Sequence, residues 1–174
     1  MRSLAKECLE LAEHYNFKFG IGLALLNLGD SHTRLGQSEK AFDFREESLR
    51  VFKEIKNEYW IAYVQHYFGH YYSEIGDYDK AIEYYLKIMP FVENTENAYQ
   101  KIIIFMHLAH IYYFNLEKEI SYEYILQAYQ LLEKINRLDV KDIIISRMVD
   151  LSLEKGEFDK ADEYLEELNQ SYVN

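Results

Sequence analysis

Apolar side chains between positions 61 and 75 fall at Ile61, Val64, Tyr67, Phe68, Tyr71, Tyr72 and Ile75, steps that gather them on one face of an α-helix. Gly76 follows, where a residue able to adopt positive φ ends a helix. Asp77 or Asp79 is then placed to cap a second helix, whose apolar face is Ala81, Ile82, Tyr85, Leu86 and Met89. Pro90 marks the last turn of that helix or the residue just past it. The predicted unit is helix, tight turn, helix.

That unit recurs. Gly36-Gln37-Ser38-Glu39-Lys40-Ala41 is followed forty residues later by Gly76-Asp77-Tyr78-Asp79-Lys80-Ala81. It returns altered as Leu116-Glu117-Lys118-Glu119-Ile120-Ser121 and then as Gly156-Glu157-Phe158-Asp159-Lys160-Ala161. A fixed period of this length marks stacked helix pairs, none of which can bury its apolar face alone. Small residues share the period: Gly29, Gly69 and Ala109 on the first helices, and Ala41, Ala81, Ser121 and Ala161 on the second. Small side chains on both partners let two helices approach closely where they cross. In the third unit Leu116 stands where the period calls for glycine, and Asn115 is the neighbour able to take a left-handed turn.

The period divides the chain into 17–57, 58–96, 97–136 and 137–174, preceded by 1–16. The expected fold is all-α, a right-handed solenoid of antiparallel helix pairs with about nine helices in one domain. Stepping back forty residues from Ala41 reaches Met1, so Leu4 to Tyr15 reads as the second helix of a missing pair, acting as a cap or as the edge of a longer array. Its expected apolar stripe is Ala5, Cys8, Leu9 and Ala12. Acidic residues of the last helix, among them Asp162, Glu163, Glu166 and Glu167, suit a solenoid end.

Composition narrows the function. Of 174 residues, 49% are hydrophobic and only one is proline, which favours packed helices. The longest apolar run, Ile102 to Met106, is far short of the roughly 18–20 residues of a membrane span. Lys6, Glu7 and Glu10 interrupt any secretory pattern near the amino terminus. Cys8 is the only cysteine, which excludes an intrachain disulfide, suits a reducing cytoplasm and fits a packed thiol. Thirty acidic against nineteen basic residues give a formal charge of −11, which disfavours nucleic acid and anionic membranes.

The chain resembles the tetratricopeptide repeat in a forty-residue form. The second unit carries this best, with Tyr63, Phe68-Gly69, Tyr72, Gly76-Asp77-Tyr78, Ala81 and Tyr84-Tyr85. The fourth matches through Gly156, Phe158, Ala161 and Tyr164-Leu165. The first keeps Leu25, Leu28-Gly29, Gly36 and Ala41 but has His32 and Arg45 at positions the family fills with aromatics.

In proteins of this kind the first helices line a concave groove for peptides or partner segments, which implies a binding surface here. By register its candidates are Leu26, Asn27, Asp30 and Arg34; Tyr63, His66, Tyr67 and His70; Met106, His110 and Tyr113; and Arg147 and Asp150. Asp30, His70, His110 and Asp150 are equivalent positions and form one row in that reading. Leu26, Tyr63, Met106 and Tyr113 would supply apolar contact, Asn27 backbone recognition, and the clustered histidines a pH response near neutrality. Arg147, three residues from Asp150, is expected to pair with it. The lysine–asparagine–arginine set with which some relatives hold a carboxyl terminus is mostly missing.

His66-x-x-x-His70, with His110 from the next unit, has the donors for zinc or nickel. The favoured reading is that these histidines stack on tyrosines and hydrogen-bond to neighbours, and no metal or cofactor is expected. Gly20-Ile21-Gly22 lacks the remainder of a phosphate-binding loop, and no nucleophile motif occurs. The expectation is a non-enzymatic protein-interaction scaffold in the cytoplasm, with a protein or peptide partner and with Leu4 and Leu11 available for self-association. The resemblance also admits the peptide-sensing region of a bacterial regulator, or a regulatory segment of a larger signalling enzyme.

Overall fold

In a computed structural model, residues 2–135 and 138–171 are described, and all their regular structure is helical. The helices are α1 (Arg2–His14), α2 (Lys18–Arg34), α3 (Ser38–Glu54), α4 (Glu58–Glu74), α5 (Tyr78–Asn94), α6 (Ala98–Phe114), α7 (Lys118–Gln130), α8 (Leu138–Glu154) and α9 (Phe158–Ser171), with a short 3-10 turn at Leu132–Lys134. The expected boundary at 136/137 lies outside the described residues. The chain forms two compact units, Met1–Tyr71 and Tyr72–Asn174.

The turns explain the period. After α2, the Gln37 N–H donates to the His32 carbonyl at 2.9 Å and Gly36 N–H to Thr33 at 2.9 Å, with Gly36 at φ 68°. This is a Schellman closure, which satisfies the last carbonyls of a helix by placing one residue in the left-handed region. The same pair of bonds recurs around Asn16, Lys56, Gly76, Leu116 and Gly156, each at positive φ. In the third repeat the left-handed residue is therefore Leu116, at φ 64°, while Asn115 stays right-handed at φ −80°. That corrects the expectation for Asn115: the long-range bond from Glu117 to Tyr112 sets which residue must invert.

Pro90 does not end α5, which continues to Asn94 with Val92 buried beneath it. The Asn94 amide caps the final turn by donating to the Pro90 carbonyl at 2.7 Å. Asp77 caps the start of the same helix by accepting from Lys80 N–H.

In the first unit, α2 and α3 pack closely at the small positions. A Cβ on Gly29 would stand 3.3 Å from the Ala41 carbonyl oxygen and 3.2 Å from Arg45 Cγ. Ser48 is buried and donates to the Gly22 carbonyl at 2.8 Å. In α1, Ala5 and Ala12 are buried and Leu9 is half-buried, but Cys8 is exposed with Leu4 and Leu11. The expectation of a packed Cys8 thiol fails: although Cys8 is a surface neighbour of both alanines at three- and four-residue spacing, it lies at the edge of the buried stripe and is exposed.

In the second unit, Ile102, Phe105 and Ala109 of α6, Ile125 and Ala128 of α7, and Ile144, Ile145, Met148 and Leu151 of α8 form one core cluster. Buried Ser121 donates to the Ala109 carbonyl at 2.7 Å, using the close approach that small residues permit. Aromatic pairs keep the period as well. His32 stacks on Phe44 at 5.2 Å, Tyr72 on Tyr84 at 5.5 Å, and Tyr112 on Tyr124 at 5.7 Å.

Candidate functional site

On the first unit, α2 and α4 bring three of the expected residues, Asp30, Tyr63 and Tyr67, into one network. Arg45, rising from α3, is buried and donates through Nη2 to Asp30 Oδ1 at 3.0 Å and to Thr33 Oγ1 at 3.1 Å. Its guanidinium lies 4.4 Å from the centre of the Tyr67 ring, a cation–π geometry. The Tyr67 and Tyr63 hydroxyls are 3.1 Å apart. Burial, the bond to Tyr63 and nearby Asp30 push the Tyr67 phenol up from its ordinary range, with Arg45 opposing, so Tyr67 stays a neutral hydrogen-bonding group.

Aromatic rings continue along α4. Tyr59 stacks on Tyr63 at 6.4 Å, Trp60 meets Tyr63 edge-on at 5.0 Å, and Trp60 is itself anchored on Phe52 of α3 at 5.5 Å. Tyr59 and Tyr63 are exposed, as are Asn27 and His70, whereas Asp30, Tyr67 and His66 are half-buried. Arg34 is exposed at the end of α2. Leu26 is only 5% exposed. It is a core residue, because the apolar face of α2 is wider than the repeat register suggested, and it offers a ligand almost no surface.

His66 also departs from expectation. Burial, and then repulsion from His70, push its imidazole down from 6.5 to about 4. It is neutral throughout the neutral range and gives no charge switch there.

On the second unit, Tyr113 is the centre of the corresponding arrangement. Its hydroxyl donates to Glu154 Oε1 at 2.9 Å, and Lys118 Nζ reaches Glu154 Oε2 at 2.8 Å. Arg147 lies 4.7 Å from the Tyr113 ring centre and 3.8 Å from Asp150, the ion pair read from their spacing. The bonds from Lys118 and Tyr113 hold the Glu154 carboxyl below its usual range. His110 is exposed with its ring 4.7 Å from Phe114, and Met106 is half-buried beside the core.

Three contributors escaped the sequence reading as site residues: Arg45, Trp60 and Lys118, the partner of Glu154. Arg45 had a signal, since Tyr85, Ile125 and Leu165 hold its equivalent positions and a lone cation in an apolar register needs a partner. Lys118–Glu154 also had one, in the geometry of the helical hairpin. Lys18–Glu54 and Glu119–Lys155 share its separation of 36 residues, which joins the start of one helix to the end of the next.

Among the described residues, no three histidine, cysteine or acidic side chains come together as a metal ion would require. Nor is any described helix long and apolar enough to cross a membrane.

The tetratricopeptide repeat family model matches residues 20–94. No curated relative matches the chain by sequence. Crystal structures share the architecture at low identity. BtubC (BKLC) from P. vanneervenii superimposes with a TM-score of 0.73 at 19% identity, over 96% of this chain and 70% of that one. A putative kinesin light chain of nearly identical TPR-like repeats from Podosopora anserina gives 0.67 at 16% identity, over 87% and 74%. A second crystal structure under that same description, of a form carrying a point substitution, gives 0.73 at 15%, over 97% and 84%. The shared fold is the all-α helical repeat of the α-solenoid class.

Proposed function

The chain is a tetratricopeptide-repeat protein, and from that premise we propose that it is a non-enzymatic interaction scaffold binding a peptide or partner segment on the first-helix faces of α2 and α4. Repeats of this family generally mediate protein–protein interaction. The observation that carries the proposal here is the aromatic row of α4. Tyr59 and Tyr63 are exposed, yet Trp60 and Tyr67 hold their rings from behind, and Tyr67 is fixed by the Arg45–Asp30 pair. Large rings already ordered before binding lose little entropy on contact, which is why tyrosine serves as an anchor in recognition surfaces. Exposed Asn27 of α2 and His70 of α4 supply groups for a peptide backbone.

The site is tested by isothermal titration of the protein against a set of short extended peptides of differing charge. The proposal predicts that at least one class binds and that Tyr63→Ala weakens it roughly tenfold or more, as for an interface anchor. Peptides that bind equally well to wild type and to a Tyr59→Ala, Tyr63→Ala double variant would remove α4 from the site.

A further inference from the structure

The geometry points to arginine as the residue that a bound peptide sets against α4, with its guanidinium over the Tyr63 ring and bonded to Asp30. The inference rests on the interaction face proposed above and names the chemistry of its ligand. The molecule builds this kind of seat twice for its own arginines. Arg45 lies 4.4 Å from the Tyr67 ring centre and bonds to Asp30 at 3.0 Å. Arg147 lies 4.7 Å from the Tyr113 ring centre, with Asp150 at 3.8 Å. Asp30 and Asp150 are the same position of the repeat, three periods apart. In each unit, then, a tyrosine face beside an aspartate of this register holds an arginine.

Lysines use tyrosine faces as well. Lys80 lies 5.0 Å from the Tyr72 ring centre, Lys87 4.7 Å from that of Tyr84, and Lys155 3.9 Å from that of Tyr122. Tyr63 differs. It is 37% exposed, its ring meets Tyr59, Trp60 and Tyr67, and among the described residues no cation lies over it.

The carboxylate is close by. The Tyr63 and Tyr67 hydroxyls are 3.1 Å apart, and Asp30 is near enough to Tyr67 to help push its phenol above the ordinary range. The bond that Asp30 accepts from Arg45 ends on Oδ1, and the Asp30 side chain is 40% exposed. Its Oδ2 therefore keeps lone pairs for a further donor. A guanidinium suits both groups at once, because it is planar, stacks flat on an aromatic ring and presents several donors in one fork. A carboxylate in the same place would meet the negative face of the ring and the charge of Asp30.

The probes are three end-capped heptapeptides, identical except for a central arginine, citrulline or glutamate, titrated into the whole protein and followed by proton–nitrogen NMR. Citrulline keeps the shape of arginine and removes its charge. The arginine peptide is expected to bind roughly five- to tenfold more tightly than the citrulline peptide, and the glutamate peptide more weakly than either. Tyr63→Phe, which keeps the ring, should preserve that preference, and Tyr63→Leu should erase it. An arginine peptide that binds no better than its citrulline twin overturns the proposal, as does a preference that survives Tyr63→Leu. If neutral or acidic peptides are then the ones that Tyr63→Ala weakens, the interaction face stands without an arginine seat. If peptides of no charge class bind, the face itself falls, and this inference with it.

Discussion

Leu116 and His66 both occupy positions that cost the folded state something, and each cost has a measurable sign. Leu116 is 84% exposed and held at φ 64°, a conformation that costs a side-chain-bearing residue on the order of 1–2 kcal/mol. Leu116→Gly removes that strain without emptying the core, while adding about 0.5–1 kcal/mol of unfolded-chain entropy. The expected net is a gain of a few tenths to about 1 kcal/mol, seen as a higher midpoint in urea unfolding. For His66, the folded pKa of about 4 lies below the ordinary 6.5. Between those values the unfolded chain takes up a proton that the folded chain refuses, so stability is present above 6.5 and falls as the pH drops. The loss expected between pH 7 and pH 5 is about 2 kcal/mol. His66→Phe should remove most of that difference in paired urea titrations, and an unchanged pH dependence would show that His66 is not its source. The sequence placed His66 among neighbouring histidines but could not reveal its burial, which decides its charge.

The helices themselves were legible, because the same turn chemistry repeats. Each Schellman closure needs one inverted residue at a fixed offset, and glycine at 36, 76 and 156 announced three of them. Lys56 and Asn16 invert without glycine, and the helix around Pro90 outlasts the proline because Val92 is buried. Both are cases in which packing overrides a local preference. Volume is likewise set by the pair rather than the residue. Gly22 faces Phe52, and a Cβ there would come within 2.7 Å of the ring, whereas Ile102 and Leu132 hold the equivalent positions in the second unit. Gly22→Ala should therefore destabilise by roughly 1–3 kcal/mol despite the better helix propensity of alanine. Phe52→Leu in the same background should return part of the loss, and additive losses would refute the volume exchange.

Charge is divided unevenly over the whole molecule. Residues 72–174 hold twenty acidic and ten basic side chains, whereas residues 1–71 hold ten and nine, so almost all of the net −11 belongs to the second unit. Like charges in one compact unit repel, and salt screens that repulsion. Raising the ionic strength should slow amide hydrogen exchange in residues 72–174 more than in 1–71; an equal response in both would contradict this. The site was less legible than the fold. Repeat register located Asp30, Tyr63, Tyr67, Tyr113 and Arg147 in the chain, but Leu26 turned inward, and Arg45 and Trp60 enter from contacts that join different helices. Register gives a residue's place along a helix, while its function depends on what the next helix sets against it.

Proton–nitrogen NMR of the protein titrated with a binding peptide tests most directly whether α2 and α4 form a recognition face. Perturbations are expected at Asn27, Tyr59, Tyr63 and His70, and they should vanish in Tyr63→Ala. Perturbations confined to the outer faces of α3 or α9, and unchanged in that variant, would contradict it.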